Sequence, residues 1–337
     1  MLDRGEEDLP RSCALAATHA NEHPTGWAIA ARRFALVEVP LPWPATIEEA
    51  AGLPPGLAAL LETLNAADPD AAPRLEAVVS EPGTVAPGRR RVVLLERSGG
   101  GRPGYTRLER QVAPGEVAEL VAAWADGRIE PDASRDVRDI VVCTHGSHDT
   151  CCGRFGAPIH RALKVMTAGH PDIRIWRGSH TGGHRFSPTL VDFPDGRSWG
   201  RLRPEDLEAL VWRVGSASGL RERYRGLGTL PTFYERLVEA ELLFRHGWSW
   251  LERHVDGEVI SGHRFSYPEE PDDVDDLAIV RISSTDPSGS LESWQAHVVR
   301  GEDTTTRGEC GDEPWDSPSF HVTNLRQVEP TPPLADG

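Results

Sequence analysis

The feature that most constrains this fold is an order of strands and helices that occurs twice along the chain. Apolar runs predict the strands, and apolar residues spaced at a 3.6-residue period predict the helices. In the first half, strands are expected at 34–39, 90–96 and 105–111, and helices at 47–64, with a break at Pro54 and Pro55, and at 114–125. In the second half, strands are expected at 139–142, 173–176, 189–193 and 198–202, and helices at 156–168 and 204–214.

A β-α-β-β-α order, which the second half repeats with one further strand in its hairpin, predicts an α/β fold, in which a mixed sheet is flanked by helices. Each unit has roughly a hundred residues or fewer, which is a normal size for a small domain. We interpret the units as tandem thioredoxin-like domains at 29–133 and 134–222, preceded by an N-terminal arm at 1–28. Two unrelated α/β units are the alternative, because the halves share almost no sequence identity.

The last third of the chain predicts a small α+β extension at 223–328. A helix is expected at about 232–246 and strands at 278–283 and 294–300, after a Gly/Ser/Arg-rich linker at 215–228. Six acidic residues among the eleven at 266–276 predict an exposed loop. The tail at 329–337 is expected to be disordered.

Composition excludes several classes of protein. A chain of 337 residues with 39% hydrophobic residues is not disordered throughout, and five cysteines are too few for a disulfide scaffold. The net charge of −16 argues against nucleic acid as a partner. The acidic start, MLDRGEEDLP, is unlike a signal peptide, and no apolar run approaches the ~18–20 residues of a membrane helix. We therefore expect a cytoplasmic protein that does not bind membranes.

Residues suited to chemistry are concentrated in one window of the second half. Cys143, Cys151 and Cys152 lie in CTHGSHDTCCG, and His180 and His184 lie in SHTGGH. In a reducing compartment, closely spaced cysteines favour metal binding or catalysis over structural disulfides. Thiolates suit zinc and iron–sulfur clusters, and a helix that begins at Cys152 would favour its thiolate. The two glycines between the histidines predict a loop that can turn both imidazoles toward one metal.

These segments resemble the signature of the sucrase/ferredoxin-like family. The resemblance rests on CTHGSHDTCCG, SHTGGHRFSPTLVDFPDG and GRL, and on an opening block, CALA followed by PTGWAIAARRFALVEVPLPWP. It spans roughly residues 13–215 and implies a thioredoxin-fold ferredoxin in which His-x3-His replaces Cys-x3-Cys. By position, the resemblance implies a 2Fe–2S cluster with four ligands: Cys143, Cys152, His180 and His184.

Other residues of this window are expected beside the cluster. His145 is expected to neighbour it without ligating it, because a second Cys-x-x-His box is missing. The other residues expected to surround the ligands are Asp149, Gly182, Gly183 and Arg185. Cys151 stands where the family pattern does not demand cysteine, and His148 stands where an arginine often precedes the aspartate. We expect Cys151 to point away as a spacer thiol, and Cys13 and Cys310 to be packing thiols unless the fold brings them together.

The resemblance implies a one-electron carrier or redox sensor more than a catalyst with its own substrate. Its redox partner, a reductase or an acceptor protein, is not identified by the sequence, although the acidic charge favours a basic docking face on that partner. Neutral imidazoles in place of thiolates predict a reduction potential above that of an all-cysteine ferredoxin. Residues 24–142 contain neither Cys nor His, so the first thioredoxin-like domain is expected to be cluster-free and to serve packing or docking.

Three other hypotheses remain open. A structural zinc ion could use the same four ligands, although the spacing of Cys143 and Cys152 exceeds that of zinc fingers. A thiol–disulfide oxidoreductase suits the fold, but Cys-x-x-Cys is absent and a disulfide between Cys151 and Cys152 would be strained. Glycoside hydrolysis, which the family name suggests, requires two placed carboxylates, and the sequence singles out no pair.

Overall fold

The computed structural model describes residues 10–97, 103–130, 137–262 and 276–330. The predicted acidic loop at 266–276 lies outside these ranges except for its last residue, and the predicted disordered tail at 329–337 lies outside them except for its first two. The described part of the predicted N-terminal arm contains helix α1 (Cys13–His19).

The first half forms four strands of a mixed sheet and two helices. In chain order these are β1 (Arg33–Glu38), α2 (Leu57–Ala67), β2 (Pro73–Val79), β3 (Arg90–Arg97), β4 (Tyr105–Val112) and α3 (Val117–Ala125). Strand β1 is parallel to β2 and antiparallel to β3, which is antiparallel to β4. The predicted helix break is confirmed, because a 3₁₀ turn ends at Glu49 and α2 begins only after the two prolines.

Strand β2 is missing from our prediction, because Arg74 and Glu76 interrupt its apolar run. These two side chains pair with each other in the structure, with Arg74 Nε 3.0 Å from Glu76 Oε1. The buried Glu76 carboxylate also accepts a hydrogen bond from Ser179 Oγ at 3.1 Å. With β2 included, the order in the first half is β-α-β-β-β-α rather than the predicted β-α-β-β-α.

The second half repeats that order. Its elements are β5 (Arg138–Cys143), a π-helix (Cys152–Gly156) that continues into α4 (Ala157–Met166), β6 (Ile173–Gly178), β7 (Leu190–Phe193), β8 (Arg197–Trp199) and α5 (Leu207–Trp212). Strand β5 is parallel to β6 and antiparallel to β7, which is antiparallel to β8. These relations are the same as those of β1 to β4.

Both halves belong to one nine-stranded sheet. Strand β9 (Tyr224–Leu227) completes it, and the strand order is β4-β3-β1-β2-β6-β5-β7-β8-β9. The halves meet where β2 and β6 pair antiparallel through their last residues, Val78 with Gly178 and Val79 with Arg177. The carboxyl ends of both parallel pairs therefore face each other at the middle of the sheet.

The predicted linker at 215–228 is wrong, because its residues form a 3₁₀ helix (Ala217–Arg223) and strand β9. Its arginines and glycines are typical of an exposed segment, yet Arg225 is buried. The Arg225 guanidinium donates to the carbonyl oxygens of Gly182, at 3.0 Å, and of Trp27. Backbone carbonyls thus satisfy a charge that the sequence places in an apparently solvated stretch.

The extension is built around one buried helix, α6 (Phe233–His246). Thr232 and Glu235 form its capping box, which supports the predicted start. Helix α6 contacts β9 on one side and a second, four-stranded sheet on the other. That sheet contains β10 (His254–Ser261), β11 (Leu277–Thr285), β12 (Leu291–Arg300) and, after the small ribbon of β13 (Thr304–Thr306) and β14 (Trp315–Ser317), β15 (Phe320–Val328).

The two predicted strands of the extension correspond to β11 and β12. Strands β10 and β15 are missing from the prediction because most of their side chains are partly or fully exposed and polar. The ribbon of β13 and β14 brings the segment around Cys310 toward helix α1.

Candidate metal centre

The four predicted ligands lie at or just beyond the carboxyl ends of β5 and β6. Cys143 is the last residue of β5, and Cys152 begins the π-helix that leads into α4. His180 follows β6 by two residues, and His184 begins a 3₁₀ turn (His184–Phe186). Because β5 and β6 are parallel neighbours, loops that follow them emerge at the same edge of the sheet.

Three of these side chains form a compact group of donors. The sulfurs of Cys143 and Cys152 and a ring nitrogen of His180 all lie within 4.8 Å of one another. Cys152 Sγ is 3.9 Å from His180 Nδ1, and Ser187 Oγ donates to Cys152 Sγ at 3.8 Å. Both thiols are fully buried. Soft thiol sulfurs and an imidazole nitrogen are the donors that zinc and iron–sulfur sites use.

His184 lies beside this group but not within it. Its ring centroid is 5.0 Å from that of His180, and its Nδ1 is 3.1 Å from Asp149 Oδ2. The carboxylate of Asp149 accepts hydrogen bonds from the backbone N–H of Cys151 at 2.7 Å and of Cys310 at 3.0 Å. Although burial opposes its ionisation, the contact with His184 and these hydrogen bonds hold the pKa of Asp149 well below its usual range. A carboxylate therefore orients the imidazole of His184.

The electrostatic environment favours one thiolate and a neutral imidazole. Burial opposes ionisation of Cys143, but hydrogen bonds from Cys152 and from the backbone of His145 and Thr181 lower its pKa. The hydrogen bond with Cys143, together with burial, raises the pKa of Cys152. Burial and the nearby histidines lower the pKa of His180 to about 2. An unprotonated imidazole has a lone pair free for a metal.

The loop between the two histidines depends on its glycines. Gly182 and Gly183 have φ angles of +74° and +66°, a conformation that L side chains rarely adopt. A Cβ at Gly182 would overlap the Ile29 side chain, and one at Gly183 would overlap the guanidinium of Arg225. The expected loop at this position is confirmed.

The loop that follows β1, in the first half of the sheet, covers the site. His145 Nε2 lies 2.6 Å from the carbonyl oxygen of Pro44, and its ring makes an edge contact with Trp43 at 5.5 Å between centroids. His148 Nδ1 lies 3.1 Å from the carbonyl oxygen of Ala45. The loop that follows β1 thus holds the side chain of His145, while the backbone of His145 donates to the sulfur of Cys143.

His148 lies closer to the expected ligands than its position in the sequence predicts. Its ring centroid is only 4.0 Å from that of His180 and 5.8 Å from that of His184. The sequence feature that could have indicated this contact is the histidine at a position where the family often has arginine. The side chain of His148 adds a third imidazole beside the expected ligands.

Arg185 is buried and forms an ion pair. Its Nε is 2.9 Å from Glu22 Oε1, and each side chain is only 4% exposed. The guanidinium also lies 4.3 Å from the ring centroid of Trp27. Arg185 therefore ties the loop of His184 to the N-terminal arm.

The adjacent cysteines Cys151 and Cys152 point into different groups. Cys151 lies with Cys13, Cys310 and Asp149, and the donor atoms of these four residues are within 4.8 Å of one another. The fold brings Cys13 and Cys310 together across almost the whole chain, which is the exception that the expectation of packing thiols allowed. All five cysteines, each within the described residues, are free thiols in the structure.

Comparison with known proteins gives one family match and two partial relatives. The sucrase/ferredoxin-like family matches residues 24–226. "Altered inheritance of mitochondria protein 32" of Meyerozyma guilliermondii is 33% identical over 101 residues, which cover 27% of this chain and 36% of that protein. The protein of the same name from Debaryomyces hansenii is 30% identical over 105 residues, which cover 29% of this chain and 37% of that protein.

The chain thus spans little more than a third of the length of these curated relatives. No solved structure matches the chain. Among the residues that the structure describes, no helix is both long and apolar enough to cross a membrane.

Proposed function

The chain belongs to the sucrase/ferredoxin-like family, and from this premise we propose that it is an iron–sulfur protein. In this proposal a 2Fe–2S cluster is held by Cys143, Cys152, His180 and His184, and the protein acts as a one-electron carrier or redox sensor. The observation that carries the proposal is the convergence of two buried thiols and the His180 imidazole within 4.8 Å, with the ring of His184 beside them.

The chemistry of the donors suits such a cluster. Two cysteines and two histidines on one cluster are the ligand set of Rieske-type centres. When bound, the cluster would accept and release one electron. The depressed pKa values of Cys143 and His180 supply a thiolate and a neutral imidazole without a large cost for deprotonation.

Other residues of this chain hold the ligands in place and limit water. Arg74 donates to the carbonyl oxygen of His180 at 3.1 Å, and Arg225 donates to that of Gly182 at 3.0 Å. The carboxylate of Asp149 orients His184, and the carbonyl of Pro44 orients His145. The two arginines place positive charge near the cluster site, which favours an added electron.

A single zinc ion at the same residues is the second candidate. The observation in its favour is that three donor atoms lie within 4.8 Å, a separation that one tetrahedral ion can span. A thiol–disulfide role has less support, since Cys151 and Cys152 point into different groups.

We also propose that each half is a thioredoxin-like domain, since both have the same strand order. The cluster-free first domain would cover the site, and a reductase or acceptor protein would dock beside it. The free thiols suit a reducing compartment such as the cytoplasm.

The test is a visible and EPR spectrum of the full chain, purified without oxygen, together with counts of iron and acid-labile sulfide. We expect about two of each per chain and a reduced-state EPR signal of the Rieske type. A colourless protein with zinc but no iron would replace the first proposal by the second. A protein without either metal, and without metal uptake on reconstitution, would contradict both.

A further inference from the structure

We propose that the group formed by Cys13, Asp149, Cys151 and Cys310 is a second metal site, and that it binds a structural zinc ion. The proposal does not rest on the cluster, because it uses none of the four cluster ligands, although Asp149 also contacts His184. Its donors come from three segments far apart in sequence: helix α1, the turn between β5 and the π-helix, and the loop between β13 and β14.

The distances among the donor atoms carry the proposal. The sulfur of Cys13 lies 3.6 Å from that of Cys151 and 3.6 Å from that of Cys310, and the last two are 3.1 Å apart. The carboxylate of Asp149 approaches Cys310 Sγ to 3.2 Å and Cys13 Sγ to 3.7 Å. All four side chains therefore surround a single point.

Packing alone does not account for this arrangement. A thiol is a weak hydrogen-bond donor, so three thiols directed at one another gain little from the hydrogen bonds among them. In a tetrahedral zinc site with Zn–S bonds of about 2.3 Å, the sulfurs lie about 3.8 Å apart. Two of the three observed separations, both 3.6 Å, are close to that value. The sulfurs of Cys151 and Cys310, 3.1 Å apart, would have to separate by about 0.7 Å to admit the ion.

The donor set favours zinc over magnesium, calcium and Cu(I). Three thiolates favour a soft or borderline ion over magnesium or calcium, whereas a carboxylate as the fourth ligand disfavours Cu(I). The ion would displace the thiol protons and offset part of the charge of four anionic ligands. Ser12 Oγ, 3.1 Å from Cys151 Sγ, and the backbone N–H groups of Cys151 and Cys310 would stabilise the remainder.

Such an ion would fasten the extension to the edge of the cluster site. The loop that carries Cys310 also carries Glu309, whose Oε1 lies 4.0 Å from His184 Nε2. Asp149, itself a proposed zinc ligand, contacts both Cys310 and His184. Zinc would therefore fix the loop that covers the imidazole of His184.

The test counts zinc and iron separately in the full chain, purified without chelators. We expect about one zinc per chain in the wild type. Cys310→Ser should lower zinc by about tenfold or more and leave the iron content unchanged, whereas Cys143→Ser should lower iron and leave zinc unchanged. Thr18→Ala is the matched control, because it removes a hydroxyl from the helix that carries Cys13, where it donates to the carbonyl oxygen of Ala14, without touching the proposed site, and should keep its zinc.

A second measurement protects the test against a variant that folds poorly. Cobalt(II) added to metal-free Cys143→Ser, which lacks the colour of a cluster, should give tetrahedral d–d bands and a thiolate charge-transfer band. The same titration of Cys143→Ser/Cys310→Ser should lose most of that absorption. Wild-type protein that neither contains zinc nor takes up zinc or cobalt would overturn the proposal. A disulfide between Cys151 and Cys310, found by peptide mapping of unreduced protein, would overturn it as well.

Discussion

The two halves of the large sheet share one strand order but differ in the loops at the carboxyl ends of their parallel strands. Strand β1 is followed by Val39 and PLPWP, an apolar loop without metal donors, whereas β5 ends in Cys143 and is followed by Thr144 and His145. The pairing of the parallel strands shows which positions of the two halves correspond. Glu38 pairs with Val78 in the first half, and Cys143 pairs with Gly178 in the second, so Val78 corresponds to Gly178. Two residues after each of these positions, Ser80 corresponds to His180.

This difference shows that the sheet positions the site, whereas the loops supply its metal donors. The sheet supplies the same place in both halves, at the carboxyl end of a parallel strand pair, and only the loops of the second half carry donors. The first half instead supplies a lid, since the carbonyl oxygens of Pro44 and Ala45 accept contacts from His145 and His148. One half thus holds the candidate site, and the other half covers it.

The largest expected effect comes from removing a donor at one of the two equivalent positions. His180→Ala should lower bound iron by about tenfold or more, because a ligand is lost from a buried site. Ser80→Ala, at the counterpart position of the first half, should keep the wild-type iron content. Iron analysis and the visible spectrum of both variants provide the measurement. Equal iron in the two variants would contradict the assignment of His180.

The next effect concerns the buried pair that attaches the site to the N-terminal arm. Glu22→Ala should lower the free energy of unfolding by about 3–5 kcal/mol, because it leaves the charge of Arg185 buried without its partner. Asp126→Ala breaks a pair of the first half, Arg128–Asp126, whose side chains are 60% and 57% exposed, and should cost less than about 1 kcal/mol. Urea denaturation of the two variants measures both values. A similar loss in each would show that burial does not distinguish these pairs.

A third prediction concerns the nature of the donors. His184→Cys should lower the reduction potential by on the order of 100 mV, because an anionic thiolate replaces a neutral imidazole. The potential of the wild type should also fall with rising pH, because an imidazole that ligates iron can lose its second ring proton, and the variant should show a weaker dependence. Spectroscopic redox titrations at several pH values measure both. A potential that does not change with pH would argue against histidine ligation.

The smallest effect is on stability in mild acid, and it also belongs to the second half. Burial and nearby cationic side chains lower the pKa of His160 in helix α4 to about 4, from an ordinary value of 6.5. The unfolded chain therefore takes up this proton at a higher pH than the folded chain does, and the free energy of unfolding falls as the pH drops from about 6.5 to about 4. His160→Gln should lessen that fall by less than about 1 kcal/mol per pH unit, because the side chain is partly exposed. Denaturation midpoints of both proteins at several pH values within this range provide the comparison, and parallel pH profiles would exclude His160 as a source.

Local sequence signals predicted most of the elements of the large sheet. The apolar runs of β1, β3 and β5, the two prolines before α2 and the glycines between the histidines each report a short-range preference of the backbone. The errors occurred where a distant partner reverses the local signal. In strand β2, Glu76 is buried and accepts a hydrogen bond from Ser179. In strand β9, Arg225 is buried and donates to two carbonyl oxygens. Local composition marks these charged residues as exposed.

In the candidate site, too, local signals predicted some features and contacts between distant segments decided the others. The sequence by itself determined the α/β class and the second half as the location of the donors, because residue type and spacing along the chain decide these. The resemblance to the sucrase/ferredoxin-like family added the choice of candidate ligands, which are Cys143, Cys152, His180 and His184. Only the tertiary structure decided that His148 lies against His180, that the first half covers the site, and that Cys13 and Cys310 meet Cys151. The physical reason is that these contacts join segments that the chain separates by up to almost 300 residues, since Cys13 and Cys310 are 297 positions apart. Their proximity depends on how strands and helices pack, which no local pattern records.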